Sequence, residues 1–155
     1  MDRLGPLKTL RVSYRVIPVD DPPSGMPDHA WVPILNVAVA LMHKHTKSRP
    51  FEAVVDSGSP FCFFHSSIGE ALGMRIQSGT RGPLAGVVGS SVGEAFYHKV
   101  KLVLGGDFID ILAGFCPTLT FAAILGRHGF FENFVVTFSH EYSPPGMEIA
   151  RINRV

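Results

Sequence analysis

Phe51-Glu52-Ala53-Val54-Val55-Asp56-Ser57-Gly58-Ser59 carries the chain from an apolar strand straight into an acid, a hydroxyl, a glycine and a second hydroxyl. An ionised carboxylate beside a hydrophobic strand is costly to bury unless it is paired or hydrogen-bonded. Ser57 and Ser59 offer hydroxyl donors, and Gly58 lets its own backbone N–H approach the carboxylate closely. Taken alone, Asp56-Ser57-Gly58 also suits an ordinary turn after a strand. The flanking segments decide what surrounds it.

Toward the N-terminus, residues 34–42 and 51–55 read as a strand pair joined by a basic loop, His43-Lys44-His45-Thr46-Lys47-Ser48-Arg49-Pro50. A polar turn, Asp20-Asp21-Pro22-Pro23-Ser24-Gly25, lies before it. Earlier still, Val12, Tyr14 and Val16 alternate with Arg11, Ser13 and Arg15, the period of a strand with one wet face.

Toward the C-terminus, residues 61–64 form a short buried-strand candidate. Ser67-Ile68-Gly69-Glu70 then has the form of a capping box, and Gly73 is placed to end that helix in the left-handed conformation. From Gly82 a long hairpin is expected, its glycines in Gly86-Val87-Val88-Gly89-Ser90-Ser91-Val92-Gly93 and its return strand over 95–104. Gly105-Gly106 closes the turn to a further strand over 108–115, and the apolar run 122–125 ends at Gly126. Residues 129–134 suit one turn of helix, 134–138 a strand, and Ile149 with Ile152 a last short strand. The pattern predicts a mostly β fold, a closed or nearly closed barrel with one or two short helices, rather than βαβ units.

Composition narrows the function classes. Of 155 residues, 46% are hydrophobic and 17% charged, with formal charge +1, so the chain is too apolar for disorder and too neutral to bind nucleic acid by counterion release. No apolar run reaches the ~18 residues that span a bilayer, and Met1-Asp2-Arg3-Leu4-Gly5-Pro6 lacks a basic-then-apolar leader pattern. Cys62 and Cys116 are too few for a disulfide scaffold. A cytoplasmic protein, binding neither nucleic acid nor membrane, is the expectation.

Three stretches together resemble the retropepsin-like aspartic proteases, single-domain relatives of pepsin that work as homodimers. Ala53-Val54-Val55-Asp56-Ser57-Gly58-Ser59 is similar to that family's catalytic loop. Gly86-Val87-Val88-Gly89, with the return strand through Tyr97, is similar to its glycine-rich flap. Ile124-Leu125-Gly126-Arg127, followed by Gly129-Phe130-Phe131, is similar to its apolar-apolar-Gly-Arg strand and the short helix after it. The resemblance covers about residues 34 to 139 and implies one domain over 1–155, with 34–139 as protease-like core and 1–31 as an N-terminal extension without counterpart in the compact viral members. Viral members usually place an acid where this chain has Pro60, an acid that pairs with the arginine equivalent to Arg127.

The chemistry follows from the acid itself. Hydrolysis of a peptide by carboxylates needs two of them about 3 Å apart sharing one proton. Two like charges that close repel by roughly 5 kcal/mol at an effective dielectric near 20, so the pair holds a single proton and titrates as a unit. None of the other six aspartates (Asp2, Asp20, Asp21, Asp28, Asp107, Asp110) sits in an Asp-[Ser/Thr]-Gly. One chain therefore supplies half a dyad, and an enzyme of this kind requires a two-fold homodimer. The resemblance implies Asp56 as catalyst, Ser57, Gly58 and Ser59 as loop support, Gly86 to Gly89 as flap, and Gly126 with Arg127 as structural partners. Leu84, Val87, Val88, Phe108, Ile124 and Leu125 are candidate pocket walls for an apolar polypeptide substrate.

Rival sites are weaker. His43 and His45 lie in the basic loop with no acid or cysteine ligand beside them, so no metal and no cofactor is expected. Cys62 has His65 three residues on, yet Phe61, Phe63 and Phe64 surround it with core. Two other classes stay open: a retropepsin-like dimer that binds peptide or oligomerises without hydrolysis, and a small β-barrel in which Asp56 is only a turn residue.

Overall fold

The computed structural model describes residues 9–84 and 93–154. Two compact units divide the chain, one formed by Leu35–Asn133 and the other by Met1–Ile34 with Phe134–Val155.

The first unit is a barrel. Its strands are β4 (Ile34–Leu41, starting at the unit's edge), β5 (Phe51–Val55), β6 (Cys62–His65), β7 (Thr80–Pro83), β8 (Glu94–Leu104), β9 (Asp107–Cys116) and β10 (Ala123–Leu125). The hydrogen-bonded order β4-β5-β10-β6-β9-β8 returns to β4, which closes six strands into a ring. Closure leaves these strands no free edge. β8 is long enough to serve two neighbours on one side, pairing Val100–Val103 with β4 and Glu94–Tyr97 with β7, while its other side pairs with β9 over Phe96–Leu104. β4 is buried on both faces over Val37–Ala40, and β9 alternates before turning wholly inward at Ala113. Phe63, Phe64, Phe115 and Phe130 are fully buried, each contributing about 2–3 kcal/mol of apolar transfer. The Gly105-Gly106 turn closes β8 onto β9 as expected, with Gly105 at φ +59°.

The helix differs from its expected form at one end. α1 spans Ser66–Ala71 and its N-cap is His65, not Ser67. β6 runs into the helix without a turn, so His65 is the last extended residue, and its Nδ1 accepts from the Ser67 amide at 3.2 Å. Gly73 does adopt the left-handed conformation, at φ +81°. Ile76–Ser78 adds a 3-10 turn. Over 129–134 the chain forms turns rather than a helix. Gly129 stands at φ +102°, and the amides of Phe131 and Glu132 reach back five residues to the carbonyls of Gly126 and Arg127. The flap residues Gly86, Val87, Val88 and Gly89 lie outside the described residues. On either side of them β7 pairs with β8, and the Leu84 amide donates to the Gly93 carbonyl at 3.0 Å.

The second unit comprises β1 (Leu10–Ser13), β2 (Arg15–Pro18), β3 (His29–Val32), β11 (Phe134–Ser139) and β12 (Gly146–Arg151). They make a three-stranded sheet, β1-β12-β11, and a separate β2-β3 ladder. The alternation over 11–16 therefore does not form one half-buried strand. It breaks at Tyr14, whose amide donates to the Pro145 carbonyl, and most side chains on both halves are exposed. Arg11 lies over the Tyr142 ring, 3.6 Å from its centroid, a cation–π contact. Among the described residues no helix is long and apolar enough to cross a membrane.

Candidate active site

β10 lies between two strands that are consecutive in the chain. It runs parallel to β5, with Ala123, Ile124 and Leu125 opposite Ala53, Val54 and Val55, and antiparallel to β6, with Ala123 and Ile124 opposite Phe64 and Phe63. The loop from β5 to β6 must therefore arch over the end of β10. Three backbone bonds stitch it down: Asp56 N to Leu125 O at 3.0 Å, Arg127 N to Ser59 O at 2.9 Å, and His128 N to Pro60 O at 2.9 Å. The chain leaving β10 passes so close beneath that a Cβ on Gly126 would meet the Phe61 carbonyl oxygen at 2.1 Å. Only glycine fits there.

This arrangement presents Asp56 half-buried at the rim of the barrel. Its Oδ1 accepts from the Gly58 amide at 2.8 Å, and its carbonyl accepts from the Ser59 amide at 3.1 Å. The expected donor role of Gly58 is thus met by its backbone, whereas neither hydroxyl donates to the carboxylate. Ser59 is fully buried and its Oγ donates to the Phe61 carbonyl at 2.8 Å. Ser57 is exposed, and its hydroxyl has no partner among the described residues. Arg127 turns to the loop backbone: Nη1 donates to Ser57 O at 2.8 Å and to Gly58 O at 3.2 Å. Backbone and guanidinium donors together hold the turn that carries the carboxylate.

Two residues beside the loop escaped sequence reasoning. The His128 ring stacks on Phe61 at 5.5 Å, and its Nδ1 sits 2.5 Å from Glu132 Oε1. The signal available was the spacing of four between His128 and Glu132, next to Arg127.

The candidate pocket walls separate into groups. Leu84 and Ile124 share one apolar cluster with Phe63, Ala95, Cys116 and Leu119, with Phe61 and Tyr97 packed against it. Leu125 is wholly buried beneath the loop. Phe108 is not brought to this cluster; it is half-exposed at the β8–β9 turn and lines a depression with Met42 and Lys101. Val87 and Val88 lie outside the described residues. Burial pushes the Cys62 thiol up to about 11, and its Sγ is directed at the His128 carbonyl at 3.4 Å, so it is no nucleophile near neutral pH. His65, three residues on, is occupied by its cap. Chemically, the loop offers a single oriented carboxylate on a backbone mount.

No family model matches the chain, and no curated protein matches it. Among solved structures it is similar to a retropepsin-like aspartic protease from Rickettsia conorii, with TM-score 0.52 and 12% identity over 95% of this chain and 96% of that one. At such identity the likeness concerns the fold alone. A mostly β chain with a closed six-stranded barrel and, among the described residues, a single short α-helix matches the retropepsin-like fold.

Proposed function

We propose that the chain is an aspartic endopeptidase that hydrolyses peptide bonds through a dyad of Asp56 from each subunit of a homodimer. The observation that carries this reading is the mount of Asp56: a half-buried carboxylate held by the Gly58 amide, on a loop stitched to β10 within a retropepsin-like barrel. The Gly58 bond alone is what any turn aspartate makes, so the weight falls on the backbone bonds that seat the loop on β10. The exposed, unpartnered Ser57 hydroxyl suits a bond to the second copy of the loop across the two-fold axis.

In this reading the unprotonated Asp56 takes a proton from a water held between the two carboxyls. The hydroxide formed attacks the scissile carbonyl carbon while the other Asp56 gives its proton to the carbonyl oxygen. The diol collapses as the C–N bond breaks and a proton passes to the leaving nitrogen. The resemblance gives Gly86 to Gly89 the part of a flap that covers the peptide and excludes water. Apolar side chains beside the cut suit the cluster of Leu84 and Ile124.

The test compares wild type with Asp56→Asn on a peptide library, alongside solution mass. Wild type is expected to cleave on the acid side of neutral as a dimer, and the variant to lose at least about a thousandfold in rate. Equal cleavage by both, or a monomer that cleaves, ends this reading. A dimer that binds peptides without cutting them would instead support a peptide-binding module.

A further inference from the structure

The end of β5 opposite Asp56 carries a second feature. The β4–β5 loop, His43-Lys44-His45-Thr46-Lys47-Ser48-Arg49-Pro50, contains no acid. Lys44, Lys47 and Arg49 are exposed and have no ion pair among the described residues. Five residues of β5 separate this loop from Asp56, about 17 Å of strand, so it is remote from the carboxylate.

The loop is preformed. The Ser48 amide donates to the Val39 carbonyl at 2.8 Å, the Val39 amide donates to Ser48 Oγ at 3.0 Å, and that hydroxyl donates on to the Arg49 carbonyl at 2.9 Å. Ser48 thereby staples the loop back onto β4 with its cations turned outward. A loop already in its bound shape avoids the ordering cost that binding otherwise carries.

Depressions flank it on both sides. One, of about 450 Å³, is lined by Lys47 and Arg49 together with the apolar Phe51, Ile68 and Leu72. The other, of about 420 Å³, is lined by Lys44 and by Lys101, which Asp110 already pairs at 2.9 Å, together with Met42 and the half-exposed Phe108. Each depression thus combines cations with apolar wall. A phosphate backbone would not use the apolar walls, and a bilayer favours a protruding apolar tip over two hollows.

We propose that this loop is a docking site for an acidic polypeptide segment of another protein, one whose carboxylates alternate with apolar side chains. The carboxylates meet Lys44, Lys47 and Arg49, and the apolar side chains enter the two depressions. The occupant is chosen by charge complementarity, since no acid of the loop itself neutralises these cations.

A fluorescein-labelled peptide repeating Glu-Phe-Asp-Leu, titrated with the full chain and read by anisotropy, tests the proposal. Replacing Lys44, Lys47 and Arg49 together by Gln is expected to weaken binding roughly tenfold or more, and to flatten its salt dependence. The unfolding midpoint reports that this variant still folds, and Arg81→Gln, an exposed cation of β7 paired with Glu94, serves as a control that leaves affinity unchanged. Ser48→Ala is expected to weaken binding a few-fold while keeping the salt dependence. A peptide repeating Gln-Phe-Asn-Leu that binds as well as the acidic one overturns the proposal. So does an affinity indifferent to the triple change, or capture of phosphatidylserine vesicles by a chain that ignores the peptide.

Discussion

Arg127 reaches the carbonyl oxygen of Ser57 with Nη1 at 2.8 Å, tying the turn that carries Asp56 to the chain segment leaving β10. The same nitrogen lies 3.2 Å from the Gly58 carbonyl. Arg127→Ala removes both donations at an exposed site, for about 1 kcal/mol of stability. The larger effect is expected on the loop, and peptide cleavage should fall more than the unfolding midpoint does. Arg127→Lys, lacking the planar fork, should rescue the midpoint better than the cleavage rate.

Gly58→Ala separates position from stability. A Cβ there would stand 3.0 Å from Asp56 Oδ1 and push the carboxylate by a few tenths of an ångström. Cleavage is expected to drop on the order of tenfold, because small misplacements of a reacting group are costly in rate. The thermal midpoint should barely move.

Gly126→Ala is expected to do the reverse. Its Cβ would overlap the Phe61 carbonyl, a backbone atom that cannot swing aside as a side chain can. Either the arch lifts or β10 slips, at a cost on the order of 3 kcal/mol. Denaturant unfolding should show a large loss, with β5–β6–β10 amides among the first to lose exchange protection.

Cys62 gives a pH signature. Burial raises its thiol from 9.0 to about 11 in the folded chain. Between those pH values the unfolded chain has released this proton while the folded chain still holds it, so stability falls as pH rises, by about 2–3 kcal/mol at completion. Below the unfolded value the contribution is fully present. Unfolding curves measured across this window should lose less stability for Cys62→Ala than for wild type.

What could be read from sequence was whatever short-range chemistry dictates. Asp56-Ser57-Gly58 announced a supported turn, Gly105-Gly106 a tight hairpin, and Gly73 a helix end, because each rests on conformations few residues tolerate. The barrel strands other than β7 are visible as apolar runs bounded by turn residues, whereas Thr80-Arg81-Gly82-Pro83 carries no apolar run to mark it. Long-range pairing was not visible. β1 lies against β12, with Leu10 opposite Ile149, and nothing in the alternation over 11–16 signals the break at Tyr14. β3, His-Ala-Trp-Val, has no clean period and went unread. The helix cap fell on His65 because strand and helix abut, which no local motif encodes. Phe108 was grouped with the pocket by hydrophobicity alone, while its position in a hairpin decides where it lies.

The insertion of β10 between β5 and β6 also sets an order of events during synthesis. Asp56 is translated about seventy residues before Leu125, whose carbonyl anchors its amide. A ribosome therefore releases the acid long before its seat exists, and such distant pairings are the slow ones in folding. A nascent chain stopped short of Ala123 carries the carboxylate but no platform for it, so the proposed cleavage would stay latent until almost the whole barrel has emerged.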